Sequence, residues 1–89
     1  MVEGGDIGVT LAAAFAAHRT GAREEAARLC DRVLQRDDRC VQAWVLRGAL
    51  AHDGGDLAGA ERHLRRALAI DPQSALALTN LGLVHVAQG

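Results

Sequence analysis

Four histidines and two cysteines are the side chains of this sequence best suited to metal binding or nucleophilic chemistry. His18 and His52 each lie near the end of a predicted helix. A metal ion shared between them would need both imidazoles within about 2.1 Å, whereas packed helices lie about 8–10 Å apart. No third ligand and no nucleophile–base pair can be read from the sequence. We therefore expect no metal, no cofactor and no catalysis.

The cysteines and the apolar stretches indicate in which cellular compartment the protein acts. Cys30 and Cys40 are too few for a disulfide framework, and free cysteines are often buried. The stretch VTLAAAFAA follows Glu3 and Asp6 rather than basic residues, which argues against a signal peptide. No apolar run reaches the roughly 18 residues needed to span a bilayer. These features predict a cytoplasmic protein without a membrane partner.

The charged residues argue against a nucleic-acid partner. The net charge is -1, whereas nucleic-acid-binding domains usually carry a basic field. All ten basic residues are arginines, a bias that suits a GC-rich bacterial genome. Some of these arginines recur along two predicted helices. Such a stripe could be an anion-binding face or a solvated face with intrahelical ion pairs, and the mixture of charges favours the solvated face. This stripe comprises Arg28, Arg32, Arg62 and Arg66, accompanied by Glu24, Glu25, Asp31 and Glu61.

A period of about 34 residues organises the chain. Gly21 aligns with Gly55 at this shift, and Ala26 aligns with Ala60. Alanine and leucine carry most of the apolar fraction and aromatic residues make up 2%, which favours helices over strands. Apolar positions recur at three- and four-residue spacings, as one face of a helix requires. The predicted helices cover residues 8–20, 23–37, 41–53, 56–70 and 74–88.

Turn residues separate the predicted helices. Gly21 and the pair Gly54–Gly55 follow first helices, where glycine tolerates the left-handed conformation of a helix end. Asp56 is placed to cap the next helix. Pro72 should end the helix before it and can open the one after it.

This helix–turn–helix pattern resembles the tetratricopeptide repeat. The best match is residues 41–74, with weaker matches over 7–40 and, in part, over 75–89 after a tail of residues 1–6. The resemblance implies an all-α fold, an α-α superhelix of five antiparallel helices in about two and a half repeats. Arg47 departs from the pattern, because leucine is usual there, and its stem is expected to lie along apolar surface. The matching residues are Trp44, Gly48, Gly55, Ala60, Leu64, Ala67 and Pro72.

The resemblance also implies a function. In this family the first helix of each repeat lines a concave groove that binds peptides or protein segments. The surface carried over to this chain is mostly apolar with a polar edge, so an apolar helix or extended segment is the expected partner. The groove residues implied are Leu11, Phe15, His18, Val45, Ala49, His52, Leu76, Asn80 and Leu83.

Two other roles fit the same sequence. The chain could be an N-terminal accessory domain that docks substrate for a larger bacterial enzyme, such as a glycosyltransferase or sulfotransferase. It could also be a scaffold for self-assembly. The sequence ends after the first helix of the third repeat, so we expect a face bearing Leu78, Leu81 and His85 to lack cover. Burial of that face predicts a homodimer or higher oligomer.

Overall fold

Five helices make up the part of the chain that the structure describes. The computed structural model describes residues 6–89, and most of the predicted tail lies outside that range. Corresponding helices begin one period apart, which confirms the repeat and the all-α fold. Each predicted boundary agrees with the structure to within one residue. The helices are α1 (Ile7–Arg19), α2 (Arg23–Arg36), α3 (Val41–Asp53), α4 (Leu57–Ile70) and α5 (Ala75–Gln88).

The turns between paired helices depend on one glycine each. Gly21 has a φ of 84° and Gly55 a φ of 86°, the left-handed conformation that was predicted for both. Gly54 is different, because its φ of -85° is right-handed and any residue could adopt it. Only the second glycine of the pair is therefore required by the backbone.

Side-chain caps fix the starts of three helices. The carboxylate of Asp56 accepts a hydrogen bond from the Gly59 amide at 2.9 Å, as predicted. Asp6, predicted to belong to the tail, caps α1 in the same way. Ser74 caps α5, so the expectation that Pro72 opens this helix is wrong. Pro72 lies in the turn between α4 and α5, two residues before the cap.

The helices form two layers that are packed unequally. Helices α1, α3 and α5 contact one another in series, and each second helix packs against the first helices beside it. Within residues 6–89, α2 and α4 make no contact with each other. The layer of first helices is thus the tighter one. None of the helices in this range is long and apolar enough to cross a bilayer.

Small residues let the two layers approach closely. A β-carbon placed on Gly48 would lie 2.6 Å from Cγ of Leu64, so α4 fits against α3 only because position 48 has no side chain. Leu64 is fully buried at this contact. The core around it joins α3, α4 and α5, and consists of Val45, Ala60, Leu64, Ala67, Ala77, Leu81 and Val84.

Two predicted surface residues belong to this core. Val45 was expected to line the groove and Leu81 to lie on an uncovered face, and both expectations are wrong. Each packs within the cluster that surrounds Leu64. The α3–α5 contact covers the side of each helix that bears these residues, so neither is available to a partner.

Candidate functional site

One face of α5 is apolar and exposed. Leu76, Leu83 and Val86 are 56%, 53% and 79% exposed. Their spacings of seven and three residues place them on one face of the helix. Such a cluster marks a site of interaction more often than a scattered apolar residue does. Of these three, Leu76 and Leu83 were among the predicted groove residues.

The other apolar groove residues are partly buried in α1 and α3. Phe15 packs against the core cluster that contains Ala14 and Leu46. Leu11 packs against a separate cluster between α1, α2 and α3. Ala49 is also partly buried. These side chains leave less apolar surface exposed than those on α5 do.

A carboxylate brings the two predicted groove histidines together. Nε2 of His18 lies 3.0 Å from Oδ2 of Asp53, and Nδ1 of His52 lies 3.9 Å from Oδ1 of the same side chain. Arg23 adds a hydrogen bond from its guanidinium to the Asp53 backbone carbonyl. Asp53 thus ties α1 and α2 to the end of α3. These groups form a polar edge at the ends of α1 and α3.

Asn80 contributes less to the groove than its type suggests. Its side-chain amide donates a hydrogen bond to the Leu76 backbone carbonyl within α5, at 2.8 Å. The amide nitrogen is therefore engaged with its own helix. The side-chain carbonyl remains the group that a partner could use.

A second face of α5 bears the residues expected to self-associate. Leu78 is 51% exposed, and the half-exposed His85 lies 3.9 Å from the Glu61 carboxylate. Gly82 lies between them on this face, and a β-carbon placed on it would meet nothing within 4 Å. Leu81 points instead into the core. Leu78 and His85 thus lie on a different side of α5 from Leu76 and Leu83.

Sequence analysis did not anticipate a cleft between α2 and α4. It has a volume of about 540 Å³ and opens where these helices separate. The Trp44 ring is stacked on His63 with centroids 5.9 Å apart, and the Arg66 guanidinium lies 5.4 Å from the indole centroid. Nε of Arg47 lies 3.3 Å from Oδ1 of Asp31, so the arginine that replaces leucine is both packed and paired.

Two side chains near this cleft have shifted pKa values. Burial lowers the pKa of His63, and the positive charges of Arg47 and Arg62 lower it further. Burial raises the pKa of the Cys30 thiol to about 12, with Arg47 acting in the opposite direction. Histidine and thiol are both held in their neutral forms near neutral pH, so the Cys30 thiol is not an activated nucleophile.

Within the arginine stripe, Arg28 pairs with Glu25 inside α2, and the Arg66 guanidinium lies over the Trp44 ring. Arg65, which is not part of the stripe, pairs with Glu61 inside α4. These intrahelical pairs are typical of a solvated outer face. No group of three or more potential ligand side chains in the described range is arranged to hold a metal ion.

Comparison with known families bears on the second half of the chain. The family model for the TPR repeat matches residues 48–89, which include the end of α3 and all of α4 and α5. The chain carries a tetratricopeptide-type repeat. No curated protein matches it. TPR repeats are in general protein-interaction modules that use extended concave surfaces.

Proposed function

We propose that this TPR domain binds an apolar peptide or helical segment of another protein on its concave side. The observation that carries the proposal is the exposure of Leu76, Leu83 and Val86 on one face of α5. Covering a leucine or valine side chain contributes about 1.5–3 kcal/mol when burial is complete. A partner that covers all three would gain enough for a specific, moderately tight complex.

The polar edge orients the bound segment in the same complex. His18, Asp53 and His52 lie at the end of α1 and α3, away from the apolar part of α5. A partner helix with one apolar face and a polar end would match both parts at once. Polar contacts at this edge would fix the direction of the bound segment rather than supply most of the affinity.

Peptide selection tests this proposal without knowledge of the natural partner. Random peptides displayed on phage are selected on the wild-type domain, and the dissociation constants of selected peptides are then measured by fluorescence anisotropy. We expect sequences enriched in leucine, isoleucine and aromatic residues. Leu83→Asp should weaken their binding about tenfold or more, because a charge would replace a covered apolar side chain.

Leu78→Asp is the matched control, because Leu78 has the same residue type and nearly the same exposure on the same helix. It lies on the other face of α5, so it should leave peptide affinity unchanged. Circular dichroism checks that both variants retain their helices. Selected peptides that bind Leu83→Asp as tightly as wild type would show that the concave side is not the site.

We further propose that the domain acts in the cytoplasm and without chemistry of its own. Both cysteines are free and buried, which suits a reducing compartment. The histidines of the groove are engaged with Asp53 rather than aimed at a common substrate position. A protein segment, rather than a membrane or a nucleic acid, is the partner that the neutral apolar surface favours.

A further inference from the structure

We propose that two copies of this chain associate through the outer face of α5, in an antiparallel pair in which Leu78 of each copy packs beside Gly82 of the other. The outer face is defined by Ala75, Leu78, Gly82 and His85. Val86 borders this face one turn after Gly82, whereas Leu76 and Leu83 lie away from it, so this proposal does not rest on the proposed function.

The contact between α3 and α4 is an internal template for such an interface. Gly48 and Gly82 occupy the same position of successive repeats. In the α3–α4 pair, the space beside Gly48 is filled by the leucine side chain of Leu64. In α5, the corresponding space beside Gly82 is open. The fold thus shows what fits against a glycine at this position, which is a leucine presented by another helix.

Helix α5 itself presents such a leucine. Leu78 lies one turn before Gly82, so both residues are on the same face of the helix. Half of the Leu78 side chain is exposed to solvent. The helix therefore carries a projecting leucine and an open glycine side by side, which are the two halves of the contact seen between α3 and α4.

The outer face of α5 is complementary to itself when two copies pair antiparallel. In an antiparallel pair about a two-fold axis level with residue 80, position 78 lies opposite 82 and position 75 lies opposite 85. Leu78 then meets Gly82, and His85 meets Ala75, in both directions. Each larger side chain faces a small residue, and a two-fold interface requires this kind of self-complementarity.

The electrostatics of the face also permit a second copy. None of its four residues carries a fixed charge, and His85 lies near Glu61 of its own chain. Two such faces can approach without like-charge repulsion. Because one 14-residue helix from each copy forms the contact, the interface is small and the dimer should be weak.

Sedimentation equilibrium of the 89-residue chain, from micromolar to sub-millimolar concentrations, tests the proposal. We expect a reversible monomer–dimer equilibrium for the wild-type chain. Leu78→Glu should raise the dimer dissociation constant about a hundredfold, because each dimer loses the burial of two leucines and gains two charges at the interface. Leu83→Glu, on the groove face, should leave the equilibrium unchanged.

Gly82→Ala distinguishes this specific contact from nonspecific association. The added methyl group has free space in the monomer, so the melting temperature of the monomer should rise. In the dimer the same methyl group would meet Leu78 of the other copy at both symmetry-related contacts, so the dissociation constant should rise about tenfold.

Three results would each overturn the proposal: a wild-type chain that is monomeric at all concentrations, a dimer that survives Leu78→Glu, or a Gly82→Ala dimer as tight as wild type. Loss of the dimer in Leu83→Glu alone would assign the contact to the groove instead, and would likewise overturn it.

Discussion

The side chain of Leu64 fills the space where a side chain at Gly48 would lie. A β-carbon on residue 48 would approach Leu64 Cγ to 2.6 Å and Cδ2 to 2.8 Å. Leu64 is fully buried and cannot turn aside. We predict that Gly48→Ala destabilises the fold by about 1–2 kcal/mol, since the cost of overpacking exceeds the gain in helix propensity. Urea unfolding followed by circular dichroism measures this change.

Gly82→Ala is the control for that prediction. It is the same substitution at the equivalent position of the next repeat, where no atom lies within 4 Å of the new methyl group. At concentrations where the chain is monomeric, it should stabilise the fold by about 0.5–1 kcal/mol. Equal effects of the two substitutions would show that close helix packing at Gly48 is not what requires glycine.

Helix positions could be predicted because local signals repeat along the chain. Asp56, Gly21 and Gly55 mark helix ends by backbone conformation and capping, which depend on few neighbours. The apolar spacing then fixed the remaining boundaries to within one residue. The prediction that Pro72 opens α5 was wrong, because Ser74 provides a stronger helix start two residues later.

The exposure of individual residues could not be predicted as well. Val45 and Leu81 have the same apolar character as Leu83, but the first two are buried where α3 and α5 meet. Which side of a helix is covered depends on how neighbouring helices are angled, and no local pattern specifies that angle. The cleft beside Trp44 escaped prediction for the same reason, since it exists only because α2 and α4 separate.

Helix capping differs between two equivalent positions. Asp56 caps α4, whereas Ala22, at the same position one repeat earlier, begins α2 without a side-chain hydrogen bond. Their backbones are nearly identical, with φ and ψ of -89° and 79° at Asp56 and -84° and 72° at Ala22. We predict that Asp56→Ala costs about 1 kcal/mol and that Ala22→Asp gains about 0.5–1 kcal/mol in the free energy of unfolding.

Thermal and urea unfolding measure both capping variants. Ala22→Leu serves as a control, because leucine offers no hydrogen-bond acceptor and should produce no gain. A gain from leucine equal to that from aspartate would attribute the effect to something other than capping.

The Cys30 thiol should resist modification while the chain is folded. Its side chain is fully buried, and burial raises its pKa to about 12. Thiolate formation and access to reagent both require unfolding. In a Cys40→Ala variant, we expect alkylation by iodoacetamide at pH 8 to be on the order of a thousandfold slower than in denaturant. A native rate close to the denatured rate would contradict the burial of this thiol.

His63 should make the fold less stable as the pH falls. Burial against the core keeps its pKa below the ordinary value of about 6.5, and Arg47 and Arg62 add to this effect. Below that ordinary value the unfolded chain binds a proton that the folded chain does not, so stability falls as the pH is lowered through this window. One proton limits the slope to about 1.4 kcal/mol per pH unit. The stability that neutral His63 contributes is fully present above the unfolded pKa and is lost as the pH falls through the folded pKa.

Urea unfolding at several pH values should therefore give a shallower pH dependence of the free energy of unfolding for His63→Asn than for wild type. His85→Asn is the control, because His85 is an exposed histidine on a different helix. In a proton NMR titration, Arg47→Met should move the His63 pKa upward, and an unchanged pKa would show that Arg47 exerts no electrostatic effect on this ring.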